Sequence, residues 1–330
     1  MSTIPQIGLI GCGYWGRNLC RNFYDLGALA SVVDATEKGQ STAQSIAPNA
    51  IISYNIDVIL VDNQIQGVAL ATPAETHADL AIQVMRAGKD VFVEKPMALS
   101  IRDAEAMQTV ANETGRILMV GHLLEYHPAL LKLRELINSV ELGKINYVYS
   151  NRLNFGKVRT EENALWSFAP HDVAVILRLL GQSPVEVSAS GGAYLNKNIS
   201  DVTISNLRFK DNSRAHIFVS WLHPYKEQRM VVICDKKMAI FNDVNPFGQK
   251  LCLYPQSVEF DGKIPLLKKE DAEFIEHVNT EPLRQECASF LDCIKSRQSP
   301  LTDAQSGIEA LRVLHACQAS IEQNGVPISL

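Results

Sequence analysis

Residues 1–122 alternate short, nearly continuous apolar runs with amphipathic segments of helical periodicity. The apolar runs are typical of buried strands and lie at 6–11, 28–34, 67–72, 90–95 and 116–122. One helical pattern begins with Ser100 and Asp103, spaced as an N-cap and its third helical residue, and stops at Gly115. Apolar strands that alternate with helices predict a parallel sheet covered on both faces, which is an α/β domain.

The pattern changes after residue 122. A helical segment and a long strand at 144–155 are followed by a short helix at 171–181. Shorter runs with period-two alternation then lie at 184–190, 201–209, 213–221, 229–235, 237–243 and 251–254. Two helices at 281–297 and 303–323 close the chain, and the charged stretch 256–280 indicates an irregular surface excursion. We therefore predict two domains, 1–122 and 123–330, the second an α+β domain with a large, mostly antiparallel sheet.

Charge and composition exclude several classes of function. The formal net charge is -5 and no basic stripe is present, so neither nucleic acid nor an anionic membrane is expected as a partner. No apolar stretch reaches the ~18 residues of a membrane span, and no secretory leader pattern opens the chain. The seven cysteines form no C-x-x-C pair and His122 and His127 are five residues apart, so we expect reduced thiols in a cytoplasm and no metal site.

A glycine-rich turn follows the first strand and opens the first helix, with the sequence Gly11-Cys12-Gly13-Tyr14-Trp15-Gly16. Strand, glycines and helix in this order predict a doubly wound dinucleotide-binding sheet with the diphosphate at the helix N-terminus. Asp34 ends the second strand and is expected to accept both ribose hydroxyls of the adenosine. Its charge would repel a 2′-phosphate by roughly 4 kcal/mol at ~4 Å, so the sequence predicts NAD rather than NADP.

Two further strands end in polar residues at the same predicted sheet edge. Thr72, Pro73 and His77 follow the strand at 67–72 and are expected to line the nicotinamide or its ribose, although packing at a helix N-terminus is an equal alternative for His77. The strand at 90–95 ends in Glu94, Lys95 and Pro96, in which the proline ends the ladder and fixes the direction of the lysine. The alternative is that Glu94 and Lys95 are ordinary charged residues on the surface.

These motifs, together with Gly121-His122 and Ala169-Pro170-His171-Asp172, resemble the Gfo/Idh/MocA family of oxidoreductases over essentially the whole chain. The resemblance implies a Rossmann domain, a C-terminal α+β domain whose open sheet serves a homo-oligomer (dimer or tetramer), and hydride transfer between nicotinamide and a sugar carbon. It implies catalytic roles for Lys95 and His171 and places His122 at the cofactor and Tyr126 at the substrate.

The sequence departs from the family at Ser167, where members usually carry aspartate four residues before the histidine. Either Ser167 replaces that acid as a hydrogen-bonding group, or Asp172 orients the site.

Oxidation of a secondary alcohol requires a base for the hydroxyl proton. Imidazole has a reference pKa near 6.5, whereas lysine starts near 10.4, so we assign His171 as the base and Lys95 as a hydrogen-bond donor to the reacting oxygen, or a relay for its proton. His171 is expected in the first turn of the helix at 171–180, where the dipole disfavours imidazolium by ~0.3–1 kcal/mol.

The strand at 144–155 places Asn146, Val148, Ser150, Arg152 and Asn154 on one face. Arg152 and Asn154 lead into a loop with Lys157 and Arg159, followed by Trp166. Basic side chains and an aromatic ring suit a phosphorylated sugar, although ordinary surface charge and a core tryptophan explain the composition equally well.

The resemblance here is to the nucleotide-sugar branch, and it implies NAD-dependent oxidation of the 3-hydroxyl of UDP-N-acetylglucosamine. The 3-keto product would feed a PLP aminotransferase in 3-amino sugar synthesis for lipid A or surface glycans. The alternatives are the corresponding uronate, a free sugar or inositol, and a non-catalytic NAD-binding regulator.

Overall fold

Residues 4–156 and 158–330 are described by a computed structural model, in which they form one sheet of six strands and another of ten. The strands of the first sheet are β1 (Gln6–Ile10), β2 (Leu29–Val33), β3 (Ile51–Ser53), β4 (Ile65–Leu70), β5 (Asp90–Glu94) and β6 (Leu118–Gly121). The accompanying helices are α1 (Gly16–Asp25), α2 (Glu37–Ile46), α3 (Asp57–Leu60), α4 (His77–Arg86) and α5 (Ile101–Thr114), with 3₁₀ turns at Ala74–Thr76 and Leu123–Tyr126.

The later elements begin with α6 (Pro128–Asn138), β7 (Ile145–Phe155) and α7 (Ala164–Leu180). Eight strands follow: β8 (Glu186–Gly192), β9 (Val202–Arg208), β10 (Arg214–Ser220), β11 (Leu222–Cys234), β12 (Lys237–Asn242), β13 (Leu251–Asp261), β14 (Ile264–Lys269) and β15 (Glu273–Phe274), with a 3₁₀ turn at Phe247–Gln249 between β12 and β13. The chain ends with α8 (Pro282–Ser296), α9 (Ala304–Glu322) and β16 (Ile328–Ser329).

The first sheet is parallel throughout and has the strand order β3-β2-β1-β4-β5-β6. The order reverses between β1 and β4, and the carboxyl ends of these strands form the crevice where ligands bind in open α/β sheets. Ile10 pairs with Leu70, and Leu70 with Val93, so the residues that follow these strands emerge at one edge. The predicted doubly wound Rossmann sheet is confirmed.

The sequence analysis predicted five of these six strands and missed β3, α2 and α3, which are short or weakly apolar. The predicted capping of α5 is confirmed, because the Ser100 side chain accepts a hydrogen bond from the amide of Asp103. The helix ends at Gly115, whose φ of 62° lies in the left-handed region that favours glycine.

The described chain divides into a first compact unit, Met1–Tyr126 with Thr280–Leu311, and a second, His127–Asn279 with Arg312–Leu330. This division differs from the predicted boundary at residue 122, because α8 returns to the first unit. Phe290 of α8 makes edge contacts with Phe23 and Phe92, at ring-centroid distances of 6.4 and 5.9 Å. These aromatic contacts and a fully buried apolar stripe hold α8 against the first sheet.

The second unit is built on the second sheet, with the order β14-β13-β12-β11-β7-β10-β9-β8-β16 and β15 paired to β13. β7 and β10 are parallel and the other pairs are antiparallel. α7 packs against β7, β9 and β10. The predicted α+β domain with a mostly antiparallel sheet is confirmed.

The stretch 256–280 was wrongly predicted to be irregular. β13 continues to Asp261, turns at Gly262 (φ 62°) and pairs with β14, and β15 adds to β13. Within the described part of the chain, β14 pairs with β13 alone, and its described side chains are exposed. The alternation of Val258, Phe260, Ile264 and Leu266 was the available signal for these strands, and the charged residues around them were interpreted as an irregular surface segment.

Among the described helices, none has the length and apolar composition that a bilayer crossing requires. Within the same residues, the cysteines are buried free thiols and no cluster of histidine, cysteine and acidic side chains has the arrangement of a metal site.

Candidate functional site

Three glycines shape the turn between β1 and α1, each for a different steric reason. Gly11 has φ +93°, and a Cβ there would lie 2.6 Å from the carbonyl oxygen of Ala71. A Cβ at Gly16 would lie 2.1 Å from the carbonyl oxygen of Gly11, so Gly16 permits close packing of helix and strand. A Cβ at Gly13 would meet nothing within 4 Å, and this open space is the cradle that a diphosphate requires.

The N-terminus of α1 has the features of an anion-binding site. It has no side-chain cap and no acidic residue in its first turn. Within residues 4–156 and 158–330, the backbone N–H groups of Gly13, Tyr14 and Trp15 donate to no protein acceptor. Unpaired donors and the positive end of the helix dipole fit the diphosphate of a dinucleotide.

Asp34 follows β2, as predicted for the ribose acceptor, but its carboxylate already accepts three hydrogen bonds from the protein. Its Oδ2 accepts a hydrogen bond from the Cys12 amide at 2.7 Å, and its Oδ1 accepts from the Thr36 amide and hydroxyl at 2.8 and 2.7 Å. Burial would raise the pKa of Asp34, but these hydrogen bonds hold it below its ordinary value. The carboxylate is therefore ionised, and Oδ2 retains a lone pair for a ribose hydroxyl.

Gly39, in the first turn of α2, was missed by the sequence analysis. A Cβ at this position would lie 2.1 to 2.3 Å from the Asp34 carboxyl group, so only glycine leaves room for that side chain. The sequence carried no clear signal for this contact, because α2 itself was not predicted.

The segment after β4 holds Thr72, Pro73 and His77 at the carboxyl edge of the sheet. The Thr72 hydroxyl bonds that of Thr76 at 2.7 Å, and Pro73 precedes the 3₁₀ turn. The buried ring of His77 lies 3.0 Å from the Thr72 carbonyl and 2.9 Å from the Pro96 carbonyl. Burial lowers the pKa of His77, against the effect of these two contacts. His77 therefore braces the loops after β4 and β5, and its ring nitrogens face backbone carbonyls rather than a ligand.

Glu94, Lys95 and Pro96 end β5 at the same edge, and the Lys95-Pro96 peptide bond is cis. Glu94 is buried, and its carboxyl group accepts hydrogen bonds from the Trp15 indole N–H and from the Lys95 amide. Burial raises the pKa of Glu94 to about 7, although Trp15 and Lys95 act in the opposite direction. Glu94 thus connects the end of β5 to the glycine-rich turn, while the Lys95 side chain is half-buried beside it.

His122 and Tyr126 follow β6 and are both 4% exposed. The Tyr126 hydroxyl hydrogen-bonds the Thr302 hydroxyl at 3.1 Å, and the Thr302 hydroxyl donates to the Val120 carbonyl at 2.6 Å. Burial raises the pKa of Tyr126. Tyr126 packs in the core of the first unit, which differs from its predicted place at the substrate.

In the second unit, α7 carries the predicted catalytic histidine, but not in its first turn. The Asn163 side chain caps the helix by accepting a hydrogen bond from the Trp166 amide at 3.2 Å, so α7 begins at Ala164. Pro170 lies inside the helix, where its ring cannot donate to the carbonyl of Trp166. His171 is therefore two turns from the N-terminus, and the predicted effect of the helix dipole on it is wrong, because that effect fades within one turn.

Arg152 and Asp172 form a buried ion pair between β7 and α7. Arg152 Nε and Asp172 Oδ2 are 2.6 Å apart, and a second bond of 3.1 Å makes the pair bidentate. The Ser150 hydroxyl donates to Asp172 Oδ1 at 2.6 Å. Arg152, predicted to hold the substrate, and Asp172, predicted to orient the site, are thus paired with each other, and the face of β7 with Ser150 and Arg152 is turned toward α7.

Ser167 and Trp166 also have partners within the second unit. The Ser167 hydroxyl accepts a hydrogen bond from Arg159 Nε at 3.1 Å, and that guanidinium also pairs with Glu162 at 2.9 Å. The Trp166 indole N–H donates to Gln318 Oε1 at 3.3 Å. Asn154 is half-buried on β7, and Lys157 lies outside the described residues.

Glu286 is a second residue that the sequence analysis missed. It is fully buried on α8. Its position three residues after Leu283 and four before Phe290 is an apolar position of the helical pattern. An acidic residue at an apolar position of the helix was the sequence signal that could have indicated a buried carboxyl group.

Comparisons with known proteins agree with this geometry. A model described as oxidoreductase family, NAD-binding Rossmann fold, matches residues 6–122, and a GFO/IDH/MocA C-terminal domain model matches residues 130–240. UDP-N-acetylglucosamine 3-dehydrogenase of Acidithiobacillus ferrooxidans is 25% identical over 319 residues, which is 96% of this chain and 97% of that protein. The scyllo-inositol 2-dehydrogenase (NAD(+)) of Bacillus subtilis is 26% identical and covers 82% of this chain and 80% of its own length.

Solved structures show the same fold. The Acidithiobacillus ferrooxidans 3-dehydrogenase superposes with a TM-score of 0.84 at 24% identity, over 96% of this chain and 97% of that one. A protein from Magnetospirillum magnetotacticum gives a TM-score of 0.82 at 27% identity, over 96% of this chain and 100% of that one.

Proposed function

The chain belongs to the Gfo/Idh/MocA family of oxidoreductases, and on this premise we propose that it is an NAD-dependent dehydrogenase that oxidises the 3-hydroxyl of UDP-N-acetylglucosamine. The observation that carries the proposal is the end-to-end similarity to a 3-dehydrogenase for that nucleotide sugar. The 3-keto product has the functional group that a PLP aminotransferase converts to an amine, so we place such an enzyme next in a lipid A or surface-glycan pathway in the cytoplasm.

The glycine-rich turn and Asp34 support NAD as the cofactor. The open space at Gly13 and the unpaired amides at α1 suit the diphosphate, and the ionised carboxylate of Asp34 suits ribose hydroxyls and disfavours a 2′-phosphate. When bound, NAD supplies the nicotinamide carbon that accepts a hydride.

His171 and Lys95 are the residues we assign to the hydroxyl proton. Imidazole is a suitable base near neutral pH without help from a helix dipole, and the Lys95 ammonium donates a hydrogen bond to the reacting oxygen. Because Arg152 is held by Asp172, the proposed contacts with substrate phosphate rest on Arg159 and Lys157. Arg159 must exchange part of its pairing with Glu162 for that contact.

The proposal is tested with a panel of UDP-sugars and free polyols, with NAD and a read-out of NADH absorbance. An aminotransferase and glutamate are included to remove the keto product. We expect turnover with UDP-N-acetylglucosamine and competitive inhibition by UDP. Lys95→Ala and His171→Ala are each expected to lower turnover by about 10²–10⁴-fold while NAD still binds. Full activity in either variant contradicts the assigned roles.

The relatives that act on inositol favour a second candidate, a free-polyol dehydrogenase. Turnover of a polyol without inhibition by UDP would establish that function instead. NAD binding without turnover of any compound in the panel would favour the uronate nucleotide sugar, if that substrate is then oxidised, or a non-catalytic regulator if it is not.

A further inference from the structure

Three buried carboxyl groups lie close together in the first unit. Glu94 ends β5, Glu125 lies in the turn after β6 and Glu286 lies on α8, and they are 8%, 5% and 0% exposed. Among the described residues, neither carboxyl oxygen of Glu286 has a hydrogen-bond partner. An ionised carboxylate buried in this way would lose its hydration without compensation.

Glu286 therefore holds a proton at neutral pH. Burial raises its pKa well above the ordinary value, and the charges of Glu94 and Glu125 raise it further. Glu94 differs from Glu286 because it has two donors, the Trp15 indole N–H and the Lys95 amide, that stabilise its ionised form. Of Glu94 and Glu286, Glu94 is thus the residue that can gain or lose a proton near neutral pH.

Glu94 also occupies a position next to the proposed cofactor. It stands at the carboxyl end of β5, beside β4, and contacts Trp15 in the glycine-rich turn. The nicotinamide ring is cationic in NAD⁺ and neutral in NADH, so the charge near this sheet edge changes with the redox state of the cofactor. A nearby cation favours an ionised carboxyl group.

We propose that Glu94 is a proton-linked sensor of the nicotinamide charge, which binds a proton when NADH is bound and releases it when NAD⁺ is bound. The inference rests on the nicotinamide cofactor proposed above and on no particular sugar substrate. Neutral Glu286 adds no negative charge of its own to that of Glu94.

Other titratable groups surround Glu94 and Glu286. Among the described residues, these groups include Lys95, Glu125, Tyr126 and Cys287, and the buried His122 directly follows Gly121, which pairs with Glu94. The charge of Lys95 lowers the pKa of Glu94. Burial raises the pKa of Tyr126 and of Cys287, so neither loses its proton near neutrality.

The test compares the Kd of NAD⁺ and of NADH for the whole protein between about pH 6 and about pH 8.5. The ratio of Kd for NAD⁺ to Kd for NADH is expected to fall as the pH rises, by about ten-fold for each unit by which NAD⁺ lowers the pKa of the sensor. Calorimetry at neutral pH in two buffers of different ionisation enthalpy is expected to show proton release with NAD⁺ and not with NADH.

Three variants locate the proton. Glu94→Gln is expected to make the ratio independent of pH, whereas Glu286→Gln, which imitates the neutral acid, is expected to keep the dependence. Glu113→Gln removes an exposed charge on α5 and serves as the matched control. A dependence that survives in Glu94→Gln, or that is lost in Glu286→Gln, overturns the assignment to Glu94.

The wild-type protein provides a measurement that does not depend on how the variants fold. An infrared difference spectrum is expected to show a protonated carboxyl band with NADH that disappears with NAD⁺. A pH-independent ratio and an absent band overturn this inference while the proposed dehydrogenase function stands. Failure to bind either nucleotide overturns both.

Discussion

Gly13 and Gly16 stand three residues apart in the turn before α1, and the structure gives them different tasks. Gly16 is needed for folding, because its Cα packs against the backbone of Gly11. Gly13 borders open space and is needed only if a ligand occupies that space. The motif spacing in the sequence could not separate these tasks, since both depend on how closely the backbone approaches other atoms.

A pair of alanine substitutions tests this distinction. Gly13→Ala is expected to leave the free energy of unfolding within about 0.5 kcal/mol of the wild type but to weaken NAD binding more than ten-fold. Gly16→Ala is expected to destabilise the first unit, since its Cβ would lie 2.1 Å from a carbonyl oxygen. Urea unfolding and nucleotide titration measure the two effects. If Gly13→Ala bound NAD with wild-type affinity, the diphosphate would not occupy the open space at Gly13, contrary to the proposal.

The hydrogen-bond partners of two single residues, Asp34 and Tyr126, were not predicted from the sequence around them. Asp34 was expected to offer its carboxylate to ribose, and the structure shows that Cys12 and Thr36 already take three of its hydrogen bonds. Tyr126 was expected at the substrate and is instead bonded to Thr302, a residue distant in sequence. Cys12 and Thr302 cannot be predicted as these partners from spacing, because they meet Asp34 and Tyr126 only in the folded chain.

At the scale of elements, α7 is longer than its apolar pattern suggested. A proline seven residues into a helix usually indicates a boundary, but the Asn163 cap and buried packing carry the helix through Pro170. This extension places Asp172 opposite Arg152 on β7, and the ion pair joins the helix to the sheet.

Removal of one partner of this ion pair is expected to destabilise the second unit by about 3–5 kcal/mol, because the other charge remains buried. Arg152→Met and Asp172→Leu are tested singly and together by urea unfolding, and the double variant is expected to recover much of the loss. Glu186→Gln, which breaks the exposed pair with Arg208 in the same sheet, is the control and should change stability far less. Additive effects of the two substitutions would show that the pair is not coupled.

α8 carries the buried acid Glu286, and this makes the stability of the first unit depend on pH. The pKa of Glu286 is raised in the folded state, so the unfolded chain gains free energy by ionising as the pH rises above the ordinary value of 4.5. The stability associated with the protonated acid is therefore complete at low pH and is lost as the pH increases.

Glu286→Gln is expected to remove this loss. The variant should match the wild type near pH 5 and become more stable by up to about 1.4 kcal/mol for each further pH unit. Urea unfolding at about pH 5 and about pH 8 measures the difference, with Glu113→Gln as the control. If Glu286→Gln were less stable at high pH, Glu286 would be an ionised group with a partner.

At the scale of the whole molecule, the second sheet has one face covered and one open. Ser150 and Arg152 of β7 face α7, so Tyr147 and Tyr149 point to the opposite face, where the Tyr149 ring stacks on His216 with centroids 5.2 Å apart. Ile204 on β9 is 43% exposed. Such a face favours the homo-oligomer, a dimer or tetramer, that we propose.

Tyr149→Glu is expected to dissociate that oligomer, because each partner in a stable interface buries about 800 Å² and a central charge would lose its hydration. Sedimentation velocity measures the mass of the wild type and the variant. Tyr54→Glu, at an 80% exposed position of the first unit, introduces the same charge and should leave the mass unchanged. A monomeric wild type would contradict the proposed assembly.

The sequence by itself determined the two sheet types, the glycine-rich turn and the residues that follow β2, β4 and β5, because periodicity, capping and strand-end position are local properties. It did not determine that α8 returns to the first unit, that Gly39 makes room for Asp34, or that Arg152 is neutralised by Asp172. Nor did it reveal the charged hairpin of β13 and β14. These features depend on contacts between different elements, and only the tertiary structure decides which buried polar groups meet and which, like Glu286, remain without a partner among the described residues.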